Sequence, residues 1–183
     1  MTLAPLKAAS AHFMARLPAL REAARLGPIL DLACGRGRQS LRAAEACLPV
    51  IGLDRSRAFL SELGSRAEAA GTRVDRVRCD LEASAEIPIR EASCGGILVY
   101  RFLFRPLAPA IEAALAPGGL LLYETFTKDQ QPFGHVPKNP AFLLASGELP
   151  TLFPGLEVIE YAEGTDETEH GNAVAQLTAR KPG

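Results

Sequence analysis

The sequence predicts an α/β domain built on a doubly wound, mostly parallel sheet that ends in an antiparallel pair of strands. Three observations carry this. Short apolar runs alternate with helix-like stretches between residues 29 and 123, the order expected of parallel strands joined by crossover helices. The run Asp31-Leu32-Ala33-Cys34-Gly35-Arg36-Gly37 sets two glycines behind the first strand, and Asp54 stands 19 residues beyond Gly35 at the end of the second. The tail holds two strand-like runs, 156–161 and 173–179, separated only by a polar stretch.

Each element follows in order. Phe13, Leu17, Leu20 and Ala24 recur at helical spacing and make residues 1–27 an N-terminal helical segment. Its basic bias, Lys7, Arg16, Arg21 and Arg25 against Glu22, is also what a mitochondrial presequence would show. Residues 29–33 read as the first strand and 38–46 as its helix, stopped before Pro49. Residues 50–53 form the second strand, and Ser56 caps a helix that runs to Gly71. Residues 74–79 give the third strand and 82–93 a polar loop. The unbroken apolar run 96–100 reads as a strand buried on both faces, with 107–115 as its helix. Pro117-Gly118-Gly119 then turns the chain into a fifth strand, 120–123. Residues 125–140, rich in Pro, Gly, Gln and Lys, are expected to form a long active-site loop at the carboxyl edge of that strand.

Length and composition bound the function. The 183 residues suit one domain, 1–183, with a sizeable core. Twenty basic and 21 acidic residues give a net charge of -1, so no overall field draws the chain to nucleic acid or anionic lipid. A local patch built from Arg36, Arg38 and Arg42 could still serve a nucleic acid. Cys34, Cys47, Cys79 and Cys94 show neither metal-ligand nor disulfide spacing, and no apolar run reaches the roughly 20 residues of a membrane span. The expectation is a cytoplasmic protein without a metal, acting on a small molecule.

In an open parallel sheet, ligands bind beyond the carboxyl ends of the strands, so the candidate chemistry lies at those ends. Gly35 and Gly37 let backbone approach a ligand, and Asp54 can accept bonds from both hydroxyls of a ribose. A nicotinamide fingerprint wants a third glycine where this chain has Ser40, and the carboxylate of Asp31 before the turn suits a positively charged, amino-bearing ligand. The sign of that charge favours S-adenosyl-L-methionine over a dinucleotide. The plainer reading is that the glycines only permit a tight turn and Asp31 bonds loop backbone.

The chain resembles the class I S-adenosylmethionine-dependent methyltransferases along nearly its whole length. Residues 31–37 look like their first motif, with Ala33, Gly35 and Gly37 at its small positions. Asp54 matches the ribose-holding acid, Cys79-Asp80-Leu81 the segment that borders adenine, and Leu115-Ala116-Pro117-Gly118-Gly119-Leu120 the turn into the fifth strand. The compact size, with the stretches 100–106 and 123–126, is most similar to small bacterial enzymes of the tellurite-resistance type. Those relatives often carry a His before the Arg-Pro pair, where this chain has Phe104. The resemblance implies a Rossmann-like seven-stranded sheet and methyl transfer to a small, anionic or soft nucleophile. It implies cofactor contacts from Asp31, Ala33, Cys34, Gly35, Gly37, Asp54, Arg55, Cys79, Asp80, Leu81 and Tyr100.

Acceptor positioning is expected from Tyr100, Arg101 and Arg105, with Tyr123 and Phe126 as an aromatic wall or simply core edge. Arg105 could instead pair with Glu112 and Arg101 cap a helix. His135 is either a loop base or a surface residue, and Cys34 either reactive or packed. Three other readings stay open: an RNA methyltransferase, an NAD-dependent reductase and a noncatalytic cofactor-binding subunit.

Overall fold

The computed structural model describes residues 5–129, 137, 139–166 and 172–183. Seven strands form one sheet: β1 (Ile29–Leu32), β2 (Val50–Asp54), β3 (Asp75–Arg78), β4 (Cys94–Tyr100), β5 (Leu115–Phe126), β6 (Glu157–Asp166) and β7 (Asn172–Arg180). Their spatial order is β3-β2-β1-β4-β5-β7-β6. The first five run parallel, and β7 pairs antiparallel with both β5 and β6. The chain winds outward from β1 to β3 and then restarts at β4 on the other side. This reversal opens a crevice beyond the carboxyl ends of β1 and β4.

The periodicity of side chains along the strands builds two cores. Leu30, Leu32, Leu53, Ile97, Val99 and Leu121 face one side, under α5 (Ala108–Ala114) and α6 (Glu148–Thr151). Ile29, Leu98, Leu120 and Leu122 face the other, under α1 (Ala11–Ala23), α2 (Arg38–Glu45) and α3 (Arg57–Ala69). Helical spacing aims Phe13 and Leu20 of α1, and Leu60, Leu63 and Ala67 of α3, at that second face. Each large apolar side chain fully buried in this way contributes about 1.5–3 kcal/mol. Ser56 caps α3 by accepting a bond from the Phe59 amide at 3.3 Å.

Four elements differ from the sequence expectation. The stretch 82–93 opens with a one-turn helix, α4 (Leu81–Ser84), because the Asp80 side chain caps it. Strand β5 begins at Leu115 and carries the Pro-Gly-Gly within it, held by the Gly118 amide on the Lys181 carbonyl and the Lys181 amide on the Gly119 carbonyl. It also continues through Thr125 and Phe126, which pair with Ala175 and Val174, so the expected loop starts later than 125. Strands β6 and β7 together take up most of the connection that looked polar, since they pair from Glu157↔Arg180 to Asp166↔Asn172. Half of the expected loop, with His135, lies outside the described residues.

Candidate functional site

A cavity of about 420 Å³ lies over the carboxyl ends of β1, β2, β4 and β5. At the β2 end, Asp54 forms its wall. One carboxylate oxygen accepts the Gly35 amide and the other the Ser56 amide, each at 2.8 Å. Two backbone donors thus orient the carboxylate and leave its other lone pairs for a ligand. Gly35 has φ +54, and a Cβ there would meet no atom within 4 Å, so this loop opens onto free space. Gly37 has φ +82 as it starts α2, and a Cβ there would run into Leu63. The first glycine leaves room for a ligand and the second for the helix behind it.

The floor of this end comes from the segment after β3. Cys79, Asp80 and Leu81 line it, with the Cys79 amide on the Asp54 carbonyl at 3.1 Å and Asp80 accepting the Glu82 amide at 3.1 Å. Burial pushes the Cys79 thiol up, away from thiolate. Arg55 and Glu82 pair across the rim at 3.0 Å, and Phe59 stands beside them, partly exposed. An apolar floor, an oriented carboxylate and an open glycine backbone fit the adenosine portion of S-adenosylmethionine.

The β5 end is built differently. Arg101 follows β4 in the left-handed region, φ +62, with its amide on the Glu124 carbonyl at 2.8 Å. Its guanidinium lies 3.3 Å from the Glu124 carboxylate and 4.8 Å above the Phe126 ring. Glu124 is fully buried and also accepts Ser10 Oγ at 2.6 Å and Gln176 Nε2 at 2.7 Å. One carboxylate thereby joins the start of α1, the end of β4 and β7. Phe102, Leu103, Phe126 and Phe142 complete an aromatic, apolar wall.

Of the residues expected to bind cofactor, Ala33, Asp54, Arg55, Cys79, Asp80 and Leu81 line this cavity. Asp31 does not. It is buried and accepts both the amide and the hydroxyl of Ser40, at 3.1 and 2.5 Å, which is the backbone-bonding alternative for this residue. Burial raises its pKa to about 6, partly offset by those Ser40 bonds. Cys34 is buried too, its thiol driven up by desolvation and by Asp31 and Asp54, as packing rather than reactivity requires.

Of the expected acceptor residues, Arg101 lines the cavity and the other two are turned elsewhere. Arg105 is engaged by the Glu148 carboxylate and by the carbonyls of Ala141 and Leu143, at 2.7 and 3.0 Å, so it pins the segment before α6. Its partner is Glu148 rather than Glu112, and their bond holds Glu148 below the usual carboxylate range. Tyr100 points beneath α1, where its hydroxyl meets His12 Nδ1 at 3.0 Å, and His12 Nε2 meets Thr178 Oγ1 at 3.0 Å. Desolvation, then Arg16, lowers His12 to about 4, so the ring is neutral, and burial drives Tyr100 well up. Tyr123 belongs to the core edge, with its hydroxyl on the Phe102 carbonyl at 3.0 Å, while Phe126 faces the cavity.

Sequence reading missed Ser10, His12, Glu124, Gln176, Phe59 and Phe142. One signal was available: an acid closing the apolar run of β5, with an arginine just past the end of β4, demands a buried partner.

Known proteins resemble the chain in family and fold. Residues 29–119 match the family described as "Methyltransferase domain". TehB from Haemophilus influenzae superposes with a TM-score of 0.67 at 25% identity, over 90% of this chain and 62% of its own. A methyltransferase from Methanosarcina mazei gives 0.73 at 17% identity, over 90% and 97%. One from Mesorhizobium loti gives 0.68 at 19% identity, over 91% and 98%. No curated protein matches the chain.

Proposed function

We propose that this chain, which belongs to the S-adenosylmethionine-dependent methyltransferases, methylates a small soft nucleophile held at the β5 end of the cavity. The carrying observation is one continuous cavity with the oriented Asp54 carboxylate at one end and the Arg101–Phe126 wall at the other. When bound, the cofactor supplies an electrophilic methyl group on a sulfonium centre. The chain's own work is positioning. Asp54 accepts the ribose hydroxyls, Leu81 and Cys79 floor the base, and the Gly35 loop leaves the approach open.

An anionic acceptor would need a spare cation, whereas Arg101 is paired with Glu124 and Arg105 with Glu148. This favours the soft acceptor over the anionic one. Nucleic acid is disfavoured on the same grounds, since Arg36 and Arg42 of the basic cluster pair with Glu62 and Glu45. A reducing, cytoplasmic setting completes the reading: all four cysteines are free, and no helix among the described residues is long and apolar enough to cross a membrane.

Calorimetric titration with S-adenosylhomocysteine, with NAD as comparison and Asp54→Ala as control, tests the cofactor side. Micromolar binding that weakens by well over tenfold in Asp54→Ala is expected. Preference for NAD, or binding indifferent to Asp54, would overturn the assignment.

A further inference from the structure

Resting on that reading, we propose that the acceptor is a thiol with an apolar, aryl-sized substituent, and that Glu124 sets this preference by neutralising Arg101. Among the described residues, the acceptor end offers aromatic surface and no uncommitted charge. Phe102, Phe126 and Phe142 line it beside Leu103 and Pro137, and Phe142 is 38% exposed at the lip, so an apolar ring has faces to cover. Arg101 lines the same wall, but Glu124 stands fully buried behind it at 3.3 Å, and Phe126 covers a guanidinium face. Among the described residues that line the cavity, Asp54, Asp80 and Glu82 outnumber Arg55 and Arg101. A carboxylate on the acceptor would lose its water without gaining an uncommitted partner among the described residues, and a hydrocarbon substituent has no such cost.

In the reaction the thiol first gives its proton to solvent. The thiolate's electron pair then forms the new sulfur–methyl bond as the methyl–sulfonium bond breaks. The electrons of the broken bond stay on the departing sulfur, leaving S-adenosylhomocysteine and a neutral thioether. The single negative charge on the attacking sulfur is matched by the sulfonium, so the pocket need supply none.

A matched pair of probes tests this: thiophenol and 4-mercaptobenzoate, which differ by one carboxylate. Wild-type protein should favour thiophenol in kcat/KM by about tenfold or more. Glu124→Gln keeps the shape and removes the charge, and should narrow that ratio to about threefold or reverse it. Phe142→Ala, at the exposed lip, should raise the KM for thiophenol while leaving S-adenosylhomocysteine affinity unchanged. Titration of the products thioanisole and 4-(methylthio)benzoate into the protein loaded with S-adenosylhomocysteine reads the same preference without turnover. Equal or better use of 4-mercaptobenzoate by wild type would overturn the proposal, as would an unchanged ratio in Glu124→Gln. If neither thiol is methylated while S-adenosylhomocysteine binds in an Asp54-dependent way, the thiol assignment fails and the methyltransferase reading stands. Absence of that binding sinks both.

Discussion

The two ends of the cavity hold their acids by different means. At the β2 end, Asp54 is oriented by backbone amides from its own neighbourhood and the adjoining loop, Ser56 and Gly35. At the β5 end, Glu124 is held by side chains brought from afar, Ser10, Gln176 and Arg101. A carboxylate fixed by backbone is a binding tool that the fold can spare. One fixed by remote side chains is part of what holds the fold together.

The sharpest test of that contrast is truncation of each acid. Glu124→Ala strands the buried guanidinium of Arg101 and should cost about 3–5 kcal/mol in urea unfolding. Asp54→Ala should instead show its main effect in calorimetry, weakening S-adenosylhomocysteine by about 2–3 kcal/mol through two lost charge-assisted bonds, with a smaller change in unfolding. Comparable losses of stability in both variants would erase the distinction.

The polar groups under the sheet sharpen it through pH. Asp31 titrates near 6 when folded against 3.8 for the free group, so the native state holds its proton more tightly and stability falls as pH rises from about 4 to 6. His12 is lowered from 6.5 to about 4, so the unfolded chain binds the extra proton and stability rises over about pH 4 to 6.5. The two slopes oppose one another. Asp31→Asn should leave the rising slope and His12→Asn the falling one, each worth about 2 kcal/mol across that window in denaturant titrations at pH 4, 5 and 6. Parallel profiles would contradict the assignment. The smallest effect is expected at the rim, where the exposed Arg55–Glu82 pair should contribute under about 1 kcal/mol, so Arg55→Ala should leave the urea midpoint nearly unmoved.

This contrast also explains what could be read from the sequence. The glycine turn, the 19-residue step to Asp54 and the segment 79–81 are local signals, because in a parallel α/β unit spacing along the chain fixes position at the strand ends. The buried strand β4 was legible from a local signal too: a continuous apolar run needs cover on both faces. Ser10 and Glu124 lie 114 residues apart, and His12 and Thr178 lie 166 apart, so neither pair leaves a periodic trace. Arg105 misled because a surface arginine beside an active-site strand has the same local signature whether it clamps a ligand or pins a neighbouring segment, and only the placement of Glu148 decides.

The placement of β7 between β5 and β6 governs the order in which the molecule can assemble. Strand β6 emerges first but shares no ladder with β5, so it has no partner within the sheet until β7 has been laid down and has folded back. Residues 29–100 can already close the crevice around Asp54 from short-range crossovers, while Gln176 reaches Glu124, and Thr178 reaches His12 of α1, only after β7 has been laid down, the second across 166 residues of chain. Refolding should therefore restore the nucleoside pocket ahead of the acceptor wall, and an incomplete chain would acquire the first without the second.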